Sequence, residues 1–403
     1  MVAKSTKSPT FQVDMKGLSE VIGGAESWRH VNELIANVFD EFNGYDHDTK
    51  RPTNCEVTFT KEGRKNAILT VTDDGAGFAE ISDTWTFFRS TAKRSSSTVS
   101  GRFNAGEKQL IALADEAEII SGSHTVKFAK GSHKHTKHKT EQISGTRITV
   151  SLKWNAATFQ KALEQLENVI APSGLIYTVN GKEINNGSDH VQTVNVSLPT
   201  VILSDVDGVF ALRSTVRKTD VEIIRSVVPW LYELGMPVCE MPDEFPYSLN
   251  VQQKVPVPMS RDMVTPAYVA RLGGTVIEAC PAILSEAHAD AAFVKPMFDH
   301  IKNPQAVREV SARVFPKSKR WSSNPRSNAM ATLEGNDILP RGKFGSAFTS
   351  ALNDTEAIPS ASAAFPVPDA PPPKPPESDQ VRCPSCDFSF KIKKVTNLIG
   401  GLV

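Results

Sequence analysis

Residues 67–77 read Ala67-Ile68-Leu69-Thr70-Val71-Thr72-Asp73-Asp74-Gly75-Ala76-Gly77. Apolar and hydroxyl residues alternate up to Thr72, the period of a half-buried strand. Two acids and two glycines then break the pattern, and glycine both admits positive φ and lets the backbone approach a flat ligand closely. Upstream, Glu56–Thr60 reads as a second strand, joined to the first by Lys61-Glu62-Gly63-Arg64-Lys65-Asn66, so the stretch is the returning arm of a β-hairpin. Taken alone, Asp73–Gly77 also fits an ordinary strand-to-turn connection or a calcium-like loop, though the later bidentate glutamate of an EF-hand is missing.

Ahead of the hairpin, Val31, Leu34, Ile35, Val38, Phe39 and Phe42 recur three and four residues apart, which predicts an amphipathic helix over 27–43. Glu33, Asn37 and Asp40 stand at i, i+4 and i+7 on its polar side, within a wedge of roughly 60°. Hydrolysis of a phosphoanhydride needs a base to deprotonate water and a metal to neutralise charge on the phosphates. Glu33 suits the first task as a catalytic base. Asn37 suits the second, because an amide oxygen ligates Mg²⁺ without adding charge. A plain solvated helix face explains the same spacing.

Beyond the hairpin, residues 89–100 are rich in Ser and lack an apolar period, which predicts a segment that orders only around something else, such as a nucleotide lid. Gly101-Arg102-Phe103-Asn104-Ala105-Gly106 then leads into Glu107, Lys108 and a helix over 106–116, whose free N–H groups face any anion in front of them. Phosphate is the natural occupant. Lys108 and Lys93 are either phosphate contacts or surface lysines. Strands are expected at 117–121, 124–129 and 146–152, the last opened by Gly145-Thr146.

In this order, the four segments resemble the N, G1, G2 and G3 boxes of the GHKL superfamily, which groups gyrase-type topoisomerases, heat-shock chaperones, histidine kinases and MutL proteins. The likeness runs over roughly residues 20–155. It implies an α/β (α+β) Bergerat-type sandwich, a mixed sheet covered by helices on one face, followed by a transducer-like α/β domain. It also implies the cofactors ATP and Mg, with Asp73 accepting a hydrogen bond from the adenine amine, Gly75 and Gly77 at the base, Asp40 beside the nucleotide, and Thr146 in the network around Asp73. Residues 101–108 form the phosphate cradle, where Asn104 replaces a customary middle glycine. Asn250-Val251-Gln252-Gln253-Lys254 resembles the Q-x-K loop of transducer domains, which implies that Gln252 and catalytic Lys254 reach the γ-phosphate. Histidine kinases generally lack the acid at the Glu33 position, so water is the expected acceptor. The layout is also similar to phage-encoded ATP-binding proteins of the rapid-lysis-A type. A slow ATPase with lid and dimer gating on a nucleic-acid or protein client follows from the resemblance; a non-catalytic nucleotide-binding module is the alternative.

Composition sets limits. Lys plus Arg and Asp plus Glu number 45 each among 403 residues, so no global field draws the chain to nucleic acid or an anionic membrane. The N-terminal residues lack an apolar signal stretch and no segment approaches the ~20 apolar residues of a membrane span, so a cytoplasmic protein without membrane insertion is expected, in the host cytoplasm if phage-encoded. The expected divisions are a flexible arm or exchanged strand at 1–18, the ATP-binding domain at 19–190, the transducer-like domain at 191–303, a helical or irregular extension at 304–353, a Pro/Ala/Ser linker at 354–380 and a tail at 381–403. Within 191–303, strands are expected near 193–203 and 208–214 and into Lys254, with helices near 220–234 and 265–290. Cys383 and Cys386 form half a zinc ribbon, completed by a second chain or left without metal. His133, His135 and His138, interleaved with Lys134, Lys137 and Lys139, read as a solvated loop tip or as a metal or nucleic-acid patch. Lys317, Lys319, Arg320, Trp321 and Arg326 form a second basic cluster, an ordinary surface or a phosphate contact.

Overall fold

The computed structural model describes residues 17, 19–20, 26–44, 50–87, 96–101, 106–206, 209–256, 264–366, 380–382 and 389–391. Lys93, Arg102, Phe103, Asn104, Ala105, Cys383 and Cys386 lie outside the described residues. The chain divides into two compact units, one of residues 1–316 with 342–357, the other of 317–341 with 358–403.

The first unit is built on an eight-stranded mixed sheet. Its strands are β1 (Asn54–Glu62), β2 (Asn66–Asp73), β3 (Glu116–Gly122), β4 (His124–Ala129), β5 (Ser132–Lys137), β6 (Ile143–Leu152), β7 (Ile176–Val179) and β8 (Lys182–Glu183). They lie side by side as β5-β4-β3-β6-β2-β1-β7-β8. Pairing is antiparallel except between β1 and β7. Cys55, Val57 and Phe59 of β1, Leu69 and Val71 of β2, and Ile148, Val150 and Leu152 of β6 are buried, while the residues between them are more exposed. This period of two gives the sheet one apolar face.

Three helices cover that face. A 3₁₀ turn at Ser27–Val31 runs into α1 (Asn32–Phe42), which packs on β2. α2 (Gly106–Leu113) packs on β6 and α3 (Ala156–Glu167) on β1. α1 buries Leu34, Ile35, Val38 and Phe39, with Phe39 edge-on to Tyr177 at 5.9 Å between ring centroids. Full burial of such side chains contributes about 1.5–3 kcal/mol each. The opposite stripe of α1 stays polar and faces the glycine-bearing turns.

A second sheet in the same unit comprises β9 (His190–Val206), β10 (Val209–Arg225), β11 (Trp230–Glu233), β12 (Met236–Glu240) and β13 (Tyr247–Val251), in the order β12-β11-β13-β10-β9. This corrects the helix expected over 220–234. Val221 and Ile223 are buried around Glu222 and pair with β13, and β-branched residues favour a pleated surface over a helix. The helix expected over 265–290 is α4 (Pro266–Ala279), which stops before Pro281 because Cys280 adopts φ −141° and ψ 74°. A residue preceding proline is disfavoured in helical conformation. A third correction concerns the polar loop expected after Ala129: Ser132–Lys137 is a strand, β5, at the free edge of the large sheet. Among the described residues no helix is long and apolar enough to cross a membrane.

Candidate functional site

The polar stripe of α1 meets three separate chain segments. At its N-terminal end, a Cβ built on Gly106 would overlap the Glu33 carboxylate, so the first residue of α2 must be glycine for the acid to lie against it. One turn on, Asn37 Nδ2 stands 3.5 Å from Glu107 Oε2. Glu107 is itself buried in an ion pair with Lys108. Further along, the Ser100 and Gly101 amides donate to Asp40 Oδ1 and Oδ2 at 2.6 and 3.1 Å. At the far end, the Ala76 amide donates to Glu41 Oε1 at 2.7 Å, and a Cβ on Gly75 would fall 2.6 Å from that oxygen.

Asp73 ends β2 beside this last contact. Its Oδ1 accepts from the Gly75 amide at 2.9 Å, and the Thr146 amide also bonds to the carboxylate. Burial pushes its pKa up to about 6, against the lowering effect of those two amides. The neighbouring Asp74 behaves in the opposite way. Slight burial would raise it, but donors from Thr53 and Asn54 prevail and hold it well below the usual carboxylate range. Asp73 therefore sits in the site, while Asp74 ties the turn to the start of β1. Cys55, directly across from Asp73 in the sheet, has its thiol pushed far up by burial and by the two acids, and stays protonated.

Two glycines make this corner possible. Gly77, at φ +79°, places its Cα against Ser121 Oγ and the Gly145 carbonyl; Ser121 Oγ in turn accepts from the Phe78 amide at 2.8 Å. Gly145, at φ +85°, leaves no room for a Cβ beside the Asp73 carbonyl. Gly145→Ala should therefore destabilise the protein by at least ~2 kcal/mol, through left-handed strain and overlap together, as measured by denaturant unfolding. Thr146 follows, buried opposite Ser121.

Lys254 is buried at the end of the second sheet. Its Nζ donates to the Ser96 carbonyl and its backbone N–H to the Ser97 carbonyl, both at 2.8 Å. The turn that carries it is held by Thr200, which donates to the Lys254 carbonyl, and by the Val255 amide donating to Glu233. Gln252 is half-buried, and its backbone N–H bonds to the Asp220 carbonyl. The geometry thus joins Glu33 to Gly106, Asn37 to Glu107, Asp40 to Gly101, and Asp73 to Gly75, Gly145 and Thr146. It joins Lys254 to the segment leading into Gly101. Asp40 accepts from the Ser100 and Gly101 amides, and Lys108 pairs with Glu107. Glu41 and Ser121 are additions that the sequence did not suggest.

The donor set fits an adenine nucleotide with a divalent cation. A buried acid with raised pKa lies at one end, glycines without Cβ line the approach, and a carboxylate and an amide stand one helical turn apart at the other end. No family model matches the chain, and no curated protein matches it. Among solved structures, the ATPase region of Saccharomyces cerevisiae topoisomerase II matches at 12% identity and a TM-score of 0.33, covering 53% of this chain and 62% of that one. The same region bound to ICRF-187 (dexrazoxane) matches at 12% identity and a TM-score of 0.32, covering 53% and 63%. The match thus spans less than two thirds of those chains.

Proposed function

We propose that this chain binds ATP along the polar stripe of α1 and hydrolyses it. One observation carries the reading: a single helix face, from Glu33 to Glu41, touches three glycine-bearing segments in turn, at Gly106, Gly101 and Gly75–Ala76. Those two residues are about 12 Å apart along the axis, at 1.5 Å per residue. That is the scale of the distance from an adenine ring to a terminal phosphate.

In this reading Asp73 receives the adenine amine, with Gly75 and Gly77 beneath the ring and Thr146 completing the polar surround. Gly101–Lys108, including Arg102–Ala105, cradles the phosphates, and Lys93 is a further phosphate contact. Asn37 would hold Mg²⁺, which when bound neutralises charge building on the phosphates. Glu33 accepts a proton from water aligned on the terminal phosphorus. Lys254 reports the γ-phosphate to the second sheet, since its ammonium already bonds to the residues that precede Gly101. An ion-pair exchange accompanies binding, Lys108 turning from Glu107 to phosphate. Coupling between the nucleotide, the 96–101 segment and Lys254 makes conformational gating the slow step, so turnover is slow and dimerisation follows ATP. The client, nucleic acid or protein, is engaged by the closed form. Cys383 and Cys386 bind zinc jointly with a second chain.

A steady-state assay of phosphate release tests hydrolysis. Turnover should require Mg²⁺ and ATP, and molecular mass should rise with a non-hydrolysable analogue. Nucleotide binding without any phosphate release would instead favour a non-catalytic module.

A further inference from the structure

The hairpin of β4 and β5, at one edge of the large sheet, sets like charges against each other. Residues 124–139 contain five lysines and four histidines but no carboxylate. In register, Lys127 faces Lys134, and like charges directly opposite each other destabilise a sheet, while His124, which faces Lys137, is pushed toward its neutral form by burial and by the neighbouring His135, Lys137 and His138. Glu118 on β3 answers only part of this, by pairing with Lys127 at 2.8 Å. An edge strand whose lysines outnumber the acids beside them has a need that an anionic partner would meet.

The rings on one side of the hairpin form a continuous group. His133 stacks on Trp85 at 4.6 Å between centroids and 18° between planes. His135 leans on Trp85 at 5.8 Å and stacks on His124 at 5.0 Å, where His124 Nδ1 and His135 Nε2 stand 2.8 Å apart. Trp85 is supplied by another part of the chain, just after the 3₁₀ turn at Ile81–Thr84, and packs against the main core. It anchors the imidazoles from beneath. His133, His135 and all of β5 are exposed, so these rings and the lysine side chains border the same strand. Alternation along β5 places Lys134 on the opposite face from His133 and His135, with Lys137 on the same face as the rings.

The chemistry excludes two other ligands. Among the described residues no group of three His, Cys, Asp or Glu side chains is placed to share a metal ion, and the adjoining ammonium groups repel a cation. A purely apolar partner would leave the lysines without compensation. We propose that this edge binds single-stranded nucleic acid, with phosphates along the β5 lysines and bases stacked on the imidazole group over Trp85. Aromatic planes accept any base, and a cationic track follows the backbone, so recognition is largely independent of sequence. The inference does not depend on the ATP reading, because it concerns edge strand β5, which carries none of the residues assigned to ATP, and needs no nucleotide.

Fluorescence anisotropy of labelled oligothymidine and oligodeoxyadenosine, with the full chain and no ATP, tests it. Both should bind, and log K should fall linearly with log salt at a slope of about −2 to −3, as for three or four neutralised phosphates of a single strand. Lys134→Ala with Lys137→Ala should reduce that slope by about 1.4 and weaken binding at least tenfold. His133→Ala should leave the slope unchanged and weaken binding about 5- to 50-fold, the loss of one stacked base. All these positions are exposed, and an unchanged melting temperature would confirm an intact fold. Failure to bind, wild-type affinity in both variants, or equal affinity for base-free polyphosphate, anionic vesicles or an acidic peptide would overturn the proposal.

Discussion

Glu33→Ala should lower phosphate release from ATP on the order of 10³-fold, while the Kd for a non-hydrolysable analogue changes less than about threefold. The expectation follows from where the acid lies. Its carboxylate rests against the Cα of Gly106 at the head of α2, where N–H groups lack helical partners. In the proposed reading, deleting it removes the proton acceptor at the phosphate end. Because Glu33 is only half-buried, the substitution leaves no cavity and stability should change little. Quenched-flow or coupled-enzyme measurement of phosphate release, beside equilibrium titration of the analogue, separates the two quantities. Equal loss of both would mean that Glu33 supports binding and not chemistry.

Asp73→Asn should act in the reverse sense, and with two signs. An amide in this corner keeps one oxygen for the Gly75 N–H but turns an NH₂ toward the adenine amine, donor against donor. Affinity for ATP should fall on the order of 10²-fold. Stability should rise. Burial raises the folded-state pKa from the ordinary 3.8 to about 6, so the folded protein holds this proton more tightly than the unfolded chain. Stability from this group is therefore greatest below about pH 4, declines as pH rises towards 6, and stays reduced above it. At most it costs on the order of 3 kcal/mol at neutral pH. Asn cannot ionise, so the variant should melt higher than wild type at pH 7 and lose that advantage at pH 4. For the same reason, nucleotide binding by the wild type should weaken as pH falls through about 6. A variant that melts lower at pH 7 would show that the carboxylate is better solvated than its burial implies.

The legible and the hidden parts of this site divide by how they are encoded. Helix periodicity gave the polar stripe of α1 because spacing alone decides which residues share a face. It could not give depth. Asp40 shares the stripe with Glu33 and Asn37, yet its oxygens are taken by the Ser100 and Gly101 amides, a contact set by a segment sixty residues away. Glu41 carries no signal of its own, since its role depends on Ala76 coming to rest above it. Ser121 looks like any strand residue, and acquires meaning only from the register that sets it opposite Thr146.

The second sheet was harder to read. Val221, Ile224, Val228 and Leu231 mimic helical spacing, but Val221 and Ile223 are buried as alternate residues of a paired strand. The aliphatic residues there suit either period, and long-range pairing chose between them. β5 is hidden for a different reason: Ser-His-Lys-His-Thr-Lys has no apolar face, because an edge strand stacked on one tryptophan needs none. The turn around Lys254 was recognisable, while its hold on the Ser96 and Ser97 carbonyls emerges only from the fold.

The central claim is that one stripe of α1, together with the Asp73 corner, forms a single site selective for adenine. Calorimetric titration of the full chain with non-hydrolysable ATP and GTP analogues, in Mg²⁺ at pH 7.5, tests it most directly. The account predicts one site per chain for the ATP analogue and at least ~10²-fold weaker binding of the GTP analogue, whose ring presents an acceptor to the Asp73 carboxylate. Equal affinity for the two, or no binding of either to the folded protein, would contradict it.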